Sequence, residues 1–137
     1  MAVISELIRS EADGSLSFGN YELSKKSKIE DFPHAGDLYK VKTFNEITKL
    51  EKNGLFLYES VPGTAVNGFK ETADCVEFSV DAKEDAQITL EMEDDTLYEI
   101  FIDGESTGAV QTGLGGKLSI SVETANADAI SVKVVKA

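Results

Sequence analysis

The side chains that could carry chemistry in this sequence are few. His34 is its one histidine. Any Ser-His-Asp or Cys-His arrangement would have to use it, yet it stands in Pro33-His34-Ala35-Gly36, which has none of the serine or cysteine context of a nucleophile elbow. It reads as a surface-turn histidine. Cys75 is the one cysteine, so no intramolecular disulfide can form. Its place beside Val76 in an alternating apolar stretch suits a small core residue better than a reactive thiol. One histidine and one cysteine fall short of a zinc ligand set.

Carboxylates are plentiful, with 25 Asp and Glu. Asp81, Glu84 and Asp85 form one cluster, and Glu91, Glu93, Asp94 and Asp95 form another. Neither has the spaced aspartates and glycine of a calcium loop, and both fall at expected strand connections, where acidic residues are ordinary turn chemistry. Gly113-Leu114-Gly115-Gly116-Lys117 invites comparison with a phosphate loop. It lacks the full spacing and the following Ser or Thr, and it leads into a strand, so it reads as a glycine-rich hairpin connection. The expectation is a chain with no catalytic set, no metal and no cofactor. Sugar sites use flat aromatic faces, and here there is no Trp and only four Tyr. A ligand face, if the chain has one, is expected at Tyr21, Tyr39 and Tyr58.

The elements that must position these residues read as strands punctuated by turns. Residues 3–8 and 16–18 flank Asp13-Gly14, a strong hairpin signal. Tyr39 and Val41 alternate with Lys40 and Lys42, as in a half-buried strand. Thr43-Phe44-Asn45-Glu46 then has the form of a capping box, with Phe44, Ile47 and Leu50 at helical spacing and Asn53-Gly54 as a stop. This predicts a short helix over 44–52, in competition with a strand closed by an Asn-Gly hairpin turn. Leu55, Phe56, Leu57 and Tyr58 are apolar on both faces, which fits either a central strand or a subunit interface. Beyond Pro62-Gly63, alternation recurs at Phe78 and Val80, at Ile88, Leu90 and Met92, at Leu118, Ile120 and Val122, and at Ile130, Val132 and Val134. Residues 97–102 form a further apolar run. The fold class is therefore mainly β: an antiparallel β-sandwich over 64–137 and an N-terminal β lobe with one short helix over 1–63, with one continuous domain as the alternative.

Composition sets the outer bounds. The chain has 137 residues, 42% of them hydrophobic, which is enough for a packed core. Thirteen Lys and Arg against 25 acids give a net charge of −12. Such a surface repels phosphate backbones and anionic lipid heads, so nucleic acid and membrane are excluded as expected partners. The beginning of the sequence has no basic region followed by an apolar run, and nowhere is there a stretch near the ~20 residues of a membrane span. The expected location is cytoplasmic, with a phage or surface assembly left open.

Four stretches, IRSEADGSLSFGNY (8–21), YKVKTF (39–44), LYESVPGT (57–64) and LGGKLSIS (114–121), resemble a group of short acidic proteins of gut anaerobic bacteria that carry the label endosialidase. The second half of the chain also resembles small sandwich modules appended to carbohydrate-active enzymes. The label implies an enzyme, and the residues oppose it. Sialidases grip the substrate carboxylate with several guanidinium groups, and this chain has only Arg9. Nor is it long enough for a propeller, whose blades need about 40 residues each. The expected role is a non-enzymatic structural or protein-interaction protein that self-associates, with residues 55–58 as interface. The alternative is a carbohydrate-binding or accessory module with a glycan partner.

Overall fold

The computed structural model describes residues 3–126 and 128–137, without the side chain of Asn126. Among them are thirteen strands and a single 3-10 turn, Thr124–Asn126. In chain order the strands are β1 (Ile8–Ser10), β2 (Leu16–Phe18), β3 (Ser27–His34), β4 (Asp37–Thr43), β5 (Thr48–Lys52), β6 (Leu55–Val61) and β7 (Ala65–Glu71). They continue as β8 (Cys75–Asp81), β9 (Ala86–Glu91), β10 (Leu97–Ile102), β11 (Glu105–Gln111), β12 (Lys117–Val122) and β13 (Ile130–Lys136). They form two antiparallel sheets packed as a sandwich, so the mainly-β reading holds. The first sheet has the order β1-β2-β7-β8-β13-β10-β11 and the second β12-β9-β6-β5-β4-β3.

The alternation seen in sequence is what builds the core. Phe78 and Val80, Ile88 and Leu90, Leu118, Ile120 and Val122, and Ile130, Val132 and Val134 all point into one shared interior. Its centre is aromatic. The Phe18 ring meets Tyr58 edge-on at 5.2 Å and Phe69 at 5.8 Å, and Phe78 meets Tyr58 at 5.8 Å while stacking on Phe69 at 5.6 Å. Both sheets draw strands from either side of Pro62, and the chain passes from the second sheet to the first at the cis Val61–Pro62 bond. Residues before and after that point thus share one core.

The helix expected over 44–52 is not present. Residues 48–52 are β5, paired with β4 and with β6, and Asn53-Gly54 closes the β5–β6 hairpin with φ of 52° and 80°. Thr43 does not cap a helix. Its hydroxyl lies 2.8 Å from that of Thr48 and accepts the Asn20 N–H at 2.9 Å. The i, i+3 spacing of Phe44, Ile47 and Leu50 loses to the i, i+2 spacing of the buried Thr48 and Leu50, because only the strand has neighbours with which to pair. Residues 3–7 are likewise not a strand, since Leu7 has φ of 74°. Gly113-Leu114-Gly115-Gly116 is not a hairpin connection either. It carries the chain from β11 in one sheet to β12 in the other.

Candidate functional site

The connections between the sheets gather at the two ends of the sandwich. At one end the β2–β3, β6–β7 and β8–β9 crossings and the β4–β5 turn surround an open cleft of about 910 Å³. Its walls are Tyr21, Ile47, Val61 and Pro62, and its rim carries Glu22, Asn45, Glu46, Lys83 and Glu84. Tyr21 is held from both sides. Asn20 before it accepts the Glu22 N–H at 3.0 Å in a tight turn, and the phenol O–H donates to Asp81 Oδ2 at 3.4 Å. Asp81 is buried, with 5% of its surface exposed. Burial, reinforced by the Asp81 and Glu22 charges, pushes the Tyr21 phenol above its ordinary range, so it stays a neutral donor.

Beneath the cleft lies a fully buried hydroxyl network. The Thr48 hydroxyl donates to Thr64 O at 2.9 Å and accepts the Thr64 N–H at 3.0 Å. Its one proton is thereby committed, so Thr43 must donate to it. The Thr64 hydroxyl in turn meets Tyr58 at 2.7 Å and Ser60 at 2.9 Å. Burial pushes the Tyr58 phenol far up. Gly63, between this network and the cleft, donates to Asn45 O at 3.0 Å and packs so closely on Phe44 that a side chain there would run into the Phe44 carbonyl oxygen.

The three tyrosines expected to share a ligand face do not. Tyr58 is sealed in the core, and Tyr39 is 7% exposed near the opposite end of β4. About six residues of strand separate Tyr39 from the cleft, or roughly 20 Å at the rise of a β-strand. Tyr21 lines the cleft of about 910 Å³, and Tyr39 borders smaller ones of about 420 and 320 Å³ away from it. The four residues expected at an interface also divide. β6 lies inside its sheet between β5 and β9, with Leu57 and Tyr58 buried, Leu55 68% exposed and Phe56 half-buried beneath Lys117 Nζ, 3.9 Å from the ring centre. Leu55 and Phe56 line a second cleft of about 410 Å³ at that end, with Ala73, Met92 and Tyr98.

The structure also brings together a pair that sequence separation hid. Ser10 Oγ lies 2.7 Å from His34 Nδ1, and His34 Nε2 lies 3.2 Å from Gly14 O. A carbonyl can only accept, so Nε2 carries a proton, and in the neutral ring Nδ1 accepts from Ser10. A catalytic serine–histidine pair is completed by a carboxylate that stabilises the imidazolium as it forms; a backbone carbonyl orients the ring without that compensation. The His34 ring, edge-on to Tyr39 at 5.8 Å, instead joins the edge strand β1 of one sheet to the edge strand β3 of the other. This is the arrangement of a clasp. Among the described residues no cluster of three or more His, Cys, Asp or Glu is arranged to hold a metal ion, and no helix is long and apolar enough to cross a membrane.

One surface lay outside every expectation. All seven residues of β11 are exposed, on both faces, because the strand extends the first sheet beyond the cover of the second. A strand with no buried face has no alternation to reveal it. No known family model matches the chain, and no curated protein or solved structure resembles it significantly.

Proposed function

We propose that the protein is a non-enzymatic structural or protein-interaction protein that self-associates, in a cytoplasmic setting where Cys75 stays reduced. The observation that carries this reading is the uncovered edge strand β11. An exposed strand with open backbone donors and acceptors is a template for another strand, and natural folds normally blunt such edges with charge, proline or cover. Here Ser106, Thr107, Gly108, Ala109, Val110 and Gln111 are all uncharged, in a chain of net charge −12. The solution mass measured by size-exclusion chromatography with light scattering tests the reading. A mass that is a multiple of 14.8 kDa supports it, and a monomer across the whole dilution series refutes it.

A second reading has its own observation. Tyr21, anchored by Asp81 and ringed by Asn45, Glu46 and Lys83, offers an aromatic wall and several hydrogen-bonding groups in one cleft, which suits a neutral glycan. A glycan array compared between the parent chain and Tyr21→Ala tests it. Binding above background that the substitution abolishes supports it, and an array without signal removes it.

A further inference from the structure

Resting on the self-association reading, we infer that two copies of this chain join through β11, antiparallel and edge to edge, about a two-fold axis that passes between the two Ala109 residues. The ladder already formed fixes which groups are free. Thr112 donates its N–H to Thr96 O at 3.0 Å, and β11 pairs with β10 in the register Leu97↔Gln111, Tyr98↔Val110 and Glu99↔Ala109. In an antiparallel ladder successive residues turn their N–H and C=O alternately to one side and the other. Val110, like Thr112, therefore faces β10, while Ala109 and Gln111 turn theirs to the open edge. The other side of β10 gives the same phase, since Leu97 O accepts from Ala137 N at 2.9 Å on the β13 side.

Two outward-facing Ala109 residues can exchange both N–H···O bonds with each other across a two-fold axis. That register sets Gly108 opposite Val110, and regular pairing stops at Thr107, the extra residue of the bulge between Gly108 and Ser106. Glu105 falls beyond the paired stretch, so no two charges of like sign stand opposite each other. The nearest carboxylates on the same face, Glu99 of each copy, are three strand spacings apart, about 14 Å. That exceeds the screening length of about 10 Å at 0.1 M salt. For a chain this acidic, a neutral strand meeting its own neutral sequence is the contact that charge opposes least.

The edges at β3 and β1 are blunted. β3 carries Lys28, Glu30, Asp31 and Pro33 and an irregularity between Ile29 and Phe32. β1 has three residues and is held by the His34 clasp. β12 is the remaining edge, and it carries one charge, Lys117, tied to Glu91 at 2.9 Å. Pairing of β11 with itself uses that edge on both copies, so the assembly closes at two, with one continuous sheet running through both.

The test uses the full chain. Ala109→Pro removes an N–H that points only to the open edge, so it spares the β10–β11 ladder while blocking the dimer. The parent chain is expected at twice 14.8 kDa by light scattering, and Ala109→Pro at the single mass with unchanged circular dichroism. Independently, Ala109→Cys in a Cys75→Ser background is expected to cross-link as a dimer on mild oxidation. The directly opposed Cα atoms of such a pair lie about 5.5 Å apart, within disulfide range. Ser119→Cys on β12 serves as the unlinked control. A parent dimer that survives Ala109→Pro and does not cross-link through position 109 overturns the β11 pairing while leaving self-association standing. A monomeric parent overturns both. Should Ala109→Pro fail to fold, the cross-link alone decides.

Discussion

Replacing Thr48 with Val should destabilise this sandwich more than its single lost oxygen suggests. The shapes are nearly the same, so the cost comes from hydrogen bonds. The Thr48 hydroxyl accepts the Thr64 N–H, donates to Thr64 O and receives Thr43, all at sites with no exposed surface. Valine would leave the Thr64 N–H, the Thr64 C=O and the Thr43 hydroxyl without these partners, where water cannot enter. Each unsatisfied buried group costs about 1–3 kcal/mol, and Thr43 can turn its proton elsewhere, so the sum is about 3–5 kcal/mol. That is a large share of the roughly 5–15 kcal/mol that holds a domain folded. Tyr58→Phe provides the control. It deletes one hydroxyl from the same network, but Thr64 keeps Ser60 as a partner, so the loss should be about 1 kcal/mol. Urea denaturation of both variants, with the midpoint shift multiplied by a common slope, measures the difference. If Thr48→Val costs no more than Tyr58→Phe, the network is not what pins the crossing at residues 62–64.

Other expectations follow from the same geometry. Gly63→Ala sets a methyl group against the Phe44 carbonyl and should cost about 2–3 kcal/mol, read from the same denaturation curves, because the backbone on both sides is tied down. The Asp13 carboxyl is held down to about 2 from 3.8 by the hydroxyl and N–H of Ser15. Its folded value is depressed, so its contribution is complete above about pH 4 and disappears as the pH falls towards 2. The Ser15 amide resonance should follow that titration, and Asp13→Ala should abolish it. His34→Ala opens the clasp between β1 and β3 and should cost about 1 kcal/mol, with amide exchange quickening in β1 before the core strands. Phe56→Glu should leave the assembly mass unchanged, since β11 lies in the other sheet; a change of mass would return the interface to Leu55 and Phe56.

The sequence by itself determined the chemistry that is scarce and the periodicity that is plain. One histidine, one cysteine and one arginine limit what the chain can catalyse whatever its shape, and the charge of −12 disfavours polyanionic partners for the same reason. Strands with one buried face, such as β8, β9, β12 and β13, announce themselves because burial imposes a period of two on the residue types. Asp13-Gly14 was legible as a turn because the positive φ at Gly14 restricts which residues can stand there, whereas Asn53-Gly54, read first as a helix stop, closes a hairpin with the same positive φ.

Only the tertiary structure decided the rest. Residues 44–52 satisfy a helical and an extended spacing equally well, and the tie is broken by β4 and β6, which are neighbours in space. The two-sided apolar run 55–58 resolves into buried Leu57 and Tyr58 and exposed Leu55 by its rank within a sheet, which no local pattern encodes. Ser10 and His34 meet because two sheet edges align, while Tyr21 parts from Tyr39 because β4 carries Tyr39 towards the other end, and from Tyr58 because β6 turns that ring into the core. β11 was invisible for the complementary reason. Alternation records burial, and a strand buried on neither face leaves nothing in the sequence to read.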